Sequence, residues 1–213
     1  MTDDLTVVLD LGQVVVGWDP YLTVADRLVR AEWAEFSAAI DFPRWNQAMD
    51  GGLTHAEACA RVAAAHPEHA ATFVRYCANF PASLTGPVPG MAEIVAELAD
   101  AGVRLLGLTN WSAETFVHAE PSAPAIRRLD GVVVSGREGV TKPDPAIFEI
   151  LLDRYDLAAA RTVFVDDSPA NVAGAAALGI TALEFAGASR LRAQLRALGL
   201  PLAAEDPAAT GRA

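Results

Sequence analysis

Leu5-Thr6-Val7-Val8-Leu9-Asp10-Leu11-Gly12-Gln13-Val14-Val15-Val16 is the stretch that decides the fold. Its first five residues, rich in Val and Leu, predict a strand buried on both faces. Asp10 then falls at the C-terminal end of that strand, with Gly12 close behind. Open α/β sheets bind their ligands outside the C-terminal ends of their strands. A strand-terminal Asp can also do no more than cap a turn. What decides between these readings is the company Asp10 keeps elsewhere in the chain.

Three later segments supply it. Val103–Leu108 is a second apolar strand, and it runs into Thr109-Asn110-Trp111-Ser112. Gly139-Val140-Thr141-Lys142-Pro143-Asp144-Pro145 puts a basic residue on a loop, with Asp144 as N-cap and Pro145 in the first turn of the next helix. Thr162-Val163-Phe164-Val165-Asp166-Asp167-Ser168-Pro169 is a strand ending in two adjacent acids before another helix start. Strand ends lie side by side in a parallel sheet, so Asp10, Thr109, Lys142, Asp166 and Asp167 are expected to converge on one crevice. Three carboxylates at one edge repel each other unless a cation joins them. An oxygen-only donor set suits a hard ion that keeps several waters, which points to Mg²⁺. A metal, a Lys and a hydroxyl around one carboxylate form a site for a phosphoryl group. Asp10 is then the candidate nucleophile, forming an aspartyl-phosphate that water hydrolyses. Thr109 and nearby backbone N–H groups would hold phosphoryl oxygens, Lys142 would neutralise charge, and at least one of Asp166 and Asp167 would bind the metal.

In this order Asp-x-Gly, Thr-Asn, Lys-Pro-Asp-Pro and Asp-Asp resemble the motifs of the haloacid dehalogenase superfamily of hydrolases, from Val7 to about Gly179. The resemblance implies a doubly wound parallel sheet, a Rossmann-like core, with a small helical cap inserted just after the first strand. It implies Asp10 as nucleophile, Thr109 and Asn110 as phosphate contacts and Lys142 as the neutralising cation. It also implies Mg²⁺ held by Asp10, the backbone carbonyl of Gly12 and Asp167, with Asp166 close to the metal. One position departs from the pattern. Phosphatases of the superfamily usually carry a second Asp where this chain has Gly12, and that Asp protonates the leaving group. A positioned acid contributes about 10²–10⁴-fold in rate. Three readings follow: a leaving group that needs little help, such as a sugar 1-phosphate; a proton from another residue, with Asp19 the nearest; or a halide leaving group. Asp19 before Pro20 is equally a helix N-cap.

The form Asp-Leu-Gly-x-Val resembles a subgroup of the superfamily similar to α-glucose-1-phosphate phosphatases. The 2-haloacid dehalogenases proper replace part of the last acidic pair and use no metal, whereas this chain keeps Asp166 and Asp167. The expected function is therefore a Mg²⁺-dependent phosphatase acting on a small phosphorylated metabolite. The alternatives are a 2-haloacid dehalogenase-type hydrolase and a catalytically impaired binding or regulatory relative. Receiver domains use similar residues, but there the acidic pair comes first and the acceptor Asp later, the reverse of this chain.

Composition agrees. The 213 residues suit a core plus a small insert. A net charge of −11 with no basic patch argues against a nucleic-acid partner. No apolar run reaches membrane-spanning length, and the acidic start Met1-Thr2-Asp3-Asp4 does not resemble a signal peptide. A cytoplasmic monomer or homodimer is expected, with Cys59 and Cys77 as small buried hydrophobes in a reducing compartment.

Strands are predicted at 5–10, 103–108, 131–134, 162–166 and 180–184. Helices are predicted at 90–101, with Gly102 just past the end, and at 112–119, 145–154, 169–178 and 188–198. Thr54-His55-Ala56-Glu57 matches a capping box. Residues 79–90 read as a Pro- and Gly-rich linker. The core is expected at 1–17 and 87–200, the cap at 18–86, and a frayed tail at 201–213. Within the cap, Arg44-Trp45-Asn46 and Met49-Asp50-Gly51-Gly52 interrupt the helical pattern with polar and aromatic groups. Trp45 and Asn46 are candidate substrate contacts. Trp45 could instead be cap core, and Asp50 part of a turn. Trp111, directly after a strand end, is the better-placed aromatic. His118 is the one histidine expected near the site, and His55, His66 and His69 read as cap surface.

Overall fold

Along the chain, β1 (Thr6–Leu9) is followed by a short β2 (Val16–Trp18), then four helices, α1 (Arg30–Ile40), α2 (Phe42–Asp50), α3 (His55–Ala65) and α4 (Ala70–Ala78), and then β3 (Leu84–Pro87). From there helices and strands alternate. They are α5 (Met91–Asp100), β4 (Arg104–Thr109), α6 (Ala119–Ser122), β5 (Gly131–Val134), α7 (Ser135–Glu138), α8 (Pro145–Tyr155), β6 (Thr162–Asp166), α9 (Pro169–Ala177), β7 (Thr181–Glu184) and α10 (Ala188–Ala197). The computed structural model describes residues 5–204.

Five strands form one parallel sheet in the order β5-β4-β1-β6-β7. The order shows why the site forms where it does. The chain steps outward from β1 through β4 to β5, then crosses back to the other side of β1 for β6 and β7. The winding therefore reverses around β1, where open sheets leave a crevice at their strand ends. Leu9 pairs with Gly107 on one side and Val165 on the other. Asp10 is thus in register with the ends of β4 and β6, and its backbone N–H donates to the carbonyl of Val165 at 2.8 Å.

Successive side chains of β1 serve opposite faces, as the pleat requires. Val7 and Leu9 join a core with Ile94, Leu98, Leu191 and Leu195, from α5 and α10. Val8 joins the other core with Ile147, Phe148, Leu151 and Phe164, where Phe148 and Phe164 meet edge-on at 5.4 Å. Full burial of such a side chain contributes about 1.5–3 kcal/mol. The expected helix starts hold: Asp144 accepts from the Ala146 N–H at 2.9 Å with Pro145 beside it, and Gly102 has φ +79° past the end of α5.

The helical insertion packs around Phe36, Phe42, Phe73 and Tyr76, continuous with the first core. The Phe42 and Tyr76 rings meet at 4.8 Å and 89°. The capping box at Thr54 and Glu57 is formed. Cys59 and Cys77 are free and half-buried.

Four expectations are corrected. Residues 79–90 are not all linker: Leu84–Pro87 pairs antiparallel with Val16–Trp18, so the two ends of the helical insertion are zipped together. The helix expected at 112–119 is absent. Only a 3₁₀ turn at Phe116–His118 and the four residues of α6 are helical there; Trp111, at the head of the segment, is instead held by Ser135. Arg44–Asp50 does not interrupt a helix but lies within α2. Its polar residues belong to a solvated face and to contacts with the core. His55, His66 and His69 are half-buried rather than surface residues. Of the tail expected at 201–213, residues 205–213 lie outside the described residues, as do Met1–Asp4.

Candidate active site

The strand ends bring Asp10, Lys142, Asp166 and Asp167 together. Lys142 is 1% exposed. Its Nζ lies 3.0 Å from Asp10 Oδ1, 2.6 Å from Asp166 Oδ2 and 2.9 Å from the carbonyl oxygen of Leu108. Its backbone is fixed by Asn110: the Lys142 N–H donates to Asn110 Oδ1 at 2.8 Å, and Asn110 Nδ2 donates to the Lys142 carbonyl at 3.0 Å. The first and last motifs are thus joined through a buried ammonium group, and the second motif sets the position of the loop that carries it.

The two adjacent acids differ in their surroundings. Asp166 is fully buried and its oxygens are occupied. Besides Lys142 it accepts from the Ser168 N–H at 2.8 Å and from Asn171 Nδ2 at 3.0 and 3.1 Å. Asp166 thus holds the backbone of Ser168, the residue that precedes α9, while the Ser168 side chain itself makes no cap bond. Asp167 is exposed, and its carboxyl is raised by desolvation and by the charge of Asp166. One carboxylate oxygen from each of Asp10, Asp166 and Asp167 lies within 4.8 Å of the others. Burial pushes the Asp10 carboxyl from the ordinary 3.8 up to about 7; Lys142 opposes the shift and Asp166 adds to it. Three acids against one Lys, all with oxygen donors, form a set that fits a hard divalent cation.

Thr109 ends β4 with its side chain fully buried, and its Oγ1 has no hydrogen-bond partner. A buried hydroxyl without a partner costs about 1–3 kcal/mol, so it marks a position that a polar ligand atom can satisfy. Next to it, Trp111 is buried; its backbone N–H donates to Ser135 Oγ at 2.9 Å and its indole N–H to Thr115 Oγ1 at 3.1 Å. Ser135 Oγ in turn donates to the backbone carbonyl of Asp50 at 2.5 Å. This hydroxyl ties the loop after β4 to the end of α2. His55 strengthens the same boundary: its backbone N–H lies 3.3 Å from both carboxylate oxygens of Glu114, and burial lowers the pKa of its ring.

A cavity of about 150 Å³ sits between Gly12, Gln13, Asn110 and Trp111 on the sheet side and Trp18, Asn46, Asp50 and Phe80 on the other. A second, of about 400 Å³, continues from Asn46, Asp50 and Asn110 toward Trp33 and Phe42. A larger recess of about 670 Å³ opens at the opposite ends of the strands, beside Thr6, Arg104 and Thr162, remote from the acidic cluster. Asn46 and Trp111 thus reach the cavity. Trp45 does not line it: its indole N–H donates to the Ile40 carbonyl at 2.9 Å and its ring packs against Phe73. His118 lines neither cavity.

Asp19 stands apart. Its Oδ1 accepts from the Tyr21 N–H at 3.2 Å, and its Oδ2 meets Arg30 at 2.6 Å. Asp19→Ala is expected to lower stability by about 1 kcal/mol in urea denaturation, through loss of the cap and an exposed ion pair. An unchanged midpoint would contradict that role.

Sequence reasoning missed Asn171 and underrated Asp50. An Asn inside a helix is itself a signal, because such side chains prefer caps and turns. Asp50 gives no comparable signal, since its place depends on how the helical insertion docks.

Residues 11–179 match the haloacid dehalogenase-like hydrolase family. The chain belongs to that family. This haloacid dehalogenase-like hydrolase is 28% identical over 199 residues to the sesquiterpene phosphatase astK of Aspergillus oryzae, a match covering 90% of this chain and 94% of that protein. Matches to four further curated relatives cover 18% to 54% of their length. The fold of the hydrolase is shared with a HAD-like family hydrolase from Porphyromonas gingivalis, with a TM-score of 0.68 at 18% identity over 91% of this chain and 97% of that one. It is also shared with a HAD family enzyme from Bacteroides thetaiotaomicron solved with magnesium and inorganic phosphate, with a TM-score of 0.64 at 18% identity over 98% and 99%. Among the described residues no helix is long and apolar enough to cross a membrane.

Proposed function

We propose that this hydrolase is a Mg²⁺-dependent phosphatase that cleaves a small phosphorylated metabolite through an aspartyl-phosphate on Asp10. The observation that carries the reading is the unpartnered, buried Thr109 hydroxyl beside three carboxylates that one Lys only partly neutralises. A phosphoryl group offers an acceptor oxygen to Thr109, and its negative charge lies close to the Lys142 ammonium. The relationship to a protein named as a phosphatase over most of both chains adds support.

In this mechanism a carboxylate oxygen of Asp10 attacks phosphorus as the bond to the leaving oxygen breaks. Lys142 favours the ionised form of Asp10 and offsets charge on the phosphoryl oxygens. Thr109 Oγ1 donates to one of those oxygens. Asn110 keeps Lys142 in place through its backbone and lines the cavity for the leaving group. Water then hydrolyses the acyl phosphate. Mg²⁺ would be held by Asp10, the Gly12 carbonyl and Asp167, and when bound it supplies charge neutralisation at the phosphoryl oxygens. Asp166, with both oxygens occupied, would keep Lys142 and the start of α9 in position. The helical cap, 18–86, closes over the core, 1–17 and 87–200, and the cavity faced by Asn46 and Trp111 would receive the organic part of the substrate. Its lining sets the polar side chains of Gln13, Asn46, Asp50 and Asn110 among the apolar rings of Trp18, Phe80 and Trp111; the α-glucose-1-phosphate phosphatase-like first motif favours a sugar phosphate as the substrate. The retained acidic pair argues against the haloacid reading, because adjacent carboxylates beside a nucleophilic carboxylate are costly without a cation.

The test is a panel of phosphorylated metabolites and 2-chloroacids, each assayed with Mg²⁺ and with EDTA. Phosphate release that EDTA stops and Mg²⁺ or Mn²⁺ restores is expected. Chloride release that persists in EDTA would select the dehalogenase instead. Asp167→Ala should raise the Mg²⁺ concentration needed for half-maximal rate by more than the roughly 10–100-fold typical of a lost outer contact.

A further inference from the structure

We propose that Asp50, contributed by the helical cap, is the proton donor to the leaving group, taking the role left open by Gly12. The inference rests on the phosphatase reading and adds a residue to it.

A Cβ built on Gly12 would meet nothing within 4 Å, and the backbone angle is not left-handed. The space beside Gly12 is therefore open, and it belongs to the 150 Å³ cavity. Among the described residues, Asp50 is the one ionisable side chain lining that cavity, and the one lining the 400 Å³ cavity that continues from it. It thus stands where the two spaces meet, across from the position the missing acid would occupy.

Its side chain is also oriented. Asn46 Nδ2 donates to Asp50 Oδ2 at 2.9 Å, and Asn46 Oδ1 accepts from the Tyr76 hydroxyl at 2.9 Å. Tyr76 is 1% exposed, so the relay is anchored in the cap core. From behind, Ser135 fixes the Asp50 backbone to the loop that carries Trp111. Burial raises the Asp50 carboxyl from 3.8 to about 7; the Ser112 backbone N–H and Lys142 oppose the shift and Asp10 adds to it. A carboxyl that holds its proton near neutral pH suits a general acid. An apolar residue, or a carboxylate paired with a cation, would not serve.

The step balances. As Asp10 bonds to phosphorus, the leaving oxygen keeps the electron pair of the broken P–O bond and takes the Asp50 proton, departing as an alcohol. The Asp50 carboxylate then takes a proton from the water that attacks the aspartyl-phosphate, which restores the acid.

The experiment measures kcat and KM with saturating Mg²⁺ for phosphate monoesters running from p-nitrophenyl phosphate to a primary alkyl phosphate. The wild type should depend weakly on leaving-group pKa. D50N should lose about 10²–10⁴-fold in kcat on the alkyl ester and only a few-fold on p-nitrophenyl phosphate. G12D/D50N should recover much of the loss, since an acid returns to the same cavity. A thermal melt shows whether D50N is folded; N46A, which frees Asp50 from its guide, should give the same pattern in weaker form and serves if D50N does not fold. Equal losses across the series, or a raised KM with an unchanged slope, would overturn the proposal and leave Asp50 as a positioning or binding residue. Wild-type failure to cleave any phosphate monoester would instead remove the phosphatase reading, and this proposal with it.

Discussion

Asp10→Asn is expected to lower turnover by on the order of 10⁴-fold or more, the scale seen when a covalent nucleophile is removed, without unfolding the protein. Asn is nearly isosteric, and Lys142 keeps Asp166 as its partner at 2.6 Å. The substitution also has a pH signature. In the metal-free protein the folded state holds the Asp10 proton up to about pH 7, while the unfolded chain releases it near 3.8. The folded state then binds more protons across that window, so stability falls as pH rises through it. Asp50, raised to about 7, contributes with the same sign. D10N removes the share due to Asp10, so in EDTA its urea midpoint should fall less between pH 5 and pH 8 than that of the wild type. Normal turnover by folded D10N would remove the covalent mechanism. An unchanged pH dependence would show that burial does not raise the Asp10 carboxyl in the folded protein.

How much of this was readable in advance follows from where each signal lives. Asp10, Thr109 and Asp166 sit at or beside the ends of buried apolar strands, and Lys142 sits on a loop marked by the Asp144-Pro145 helix start. Strand burial leaves a strong local pattern, and a parallel sheet turns sequence positions into neighbours without further information. Helices opened by Asp144-Pro145 and Thr54–Glu57 were legible for the same reason, since capping chemistry is local. The β2–β3 ribbon was not legible: it spans three and four residues, and its order comes from each strand finding the other across the whole helical insertion. The lost helix after Trp111 shows the opposite effect, where a tertiary hydrogen bond to Ser135 overrides a local preference. Asp50 and Trp45 show the limit most clearly. They lie five residues apart within α2, yet one reaches the cavity and the other packs against Phe73. Helical periodicity separates those faces only once it is known which face meets the sheet.

Lys142→Met should damage both activity and stability, and the pairing of the two effects is the test. The ammonium group is buried between Asp10 and Asp166 and also donates to the Leu108 carbonyl. Removing it leaves acids that were mutually balanced only through it. Breaking a buried ion pair from one side costs about 3–5 kcal/mol, because the remaining charge has no partner. Loss of one preorganised donor to developing charge costs roughly 10²–10³-fold in kcat. Lys142→Arg is not expected to rescue either property: the guanidinium is broader and planar, and the site is closed around a compact group with three short contacts. Mg²⁺ should restore part of the stability of K142M, since a cation binding only the folded state stabilises it by mass action. K142M/D166N should be less destabilised than K142M alone, because the second change removes a carboxylate that the first left unpaired. Urea denaturation of the four proteins, with and without Mg²⁺, measures each of these terms. If K142M proved as stable as the wild type and D166N had no compensating effect, the buried Lys would not be what holds the acidic strand ends together.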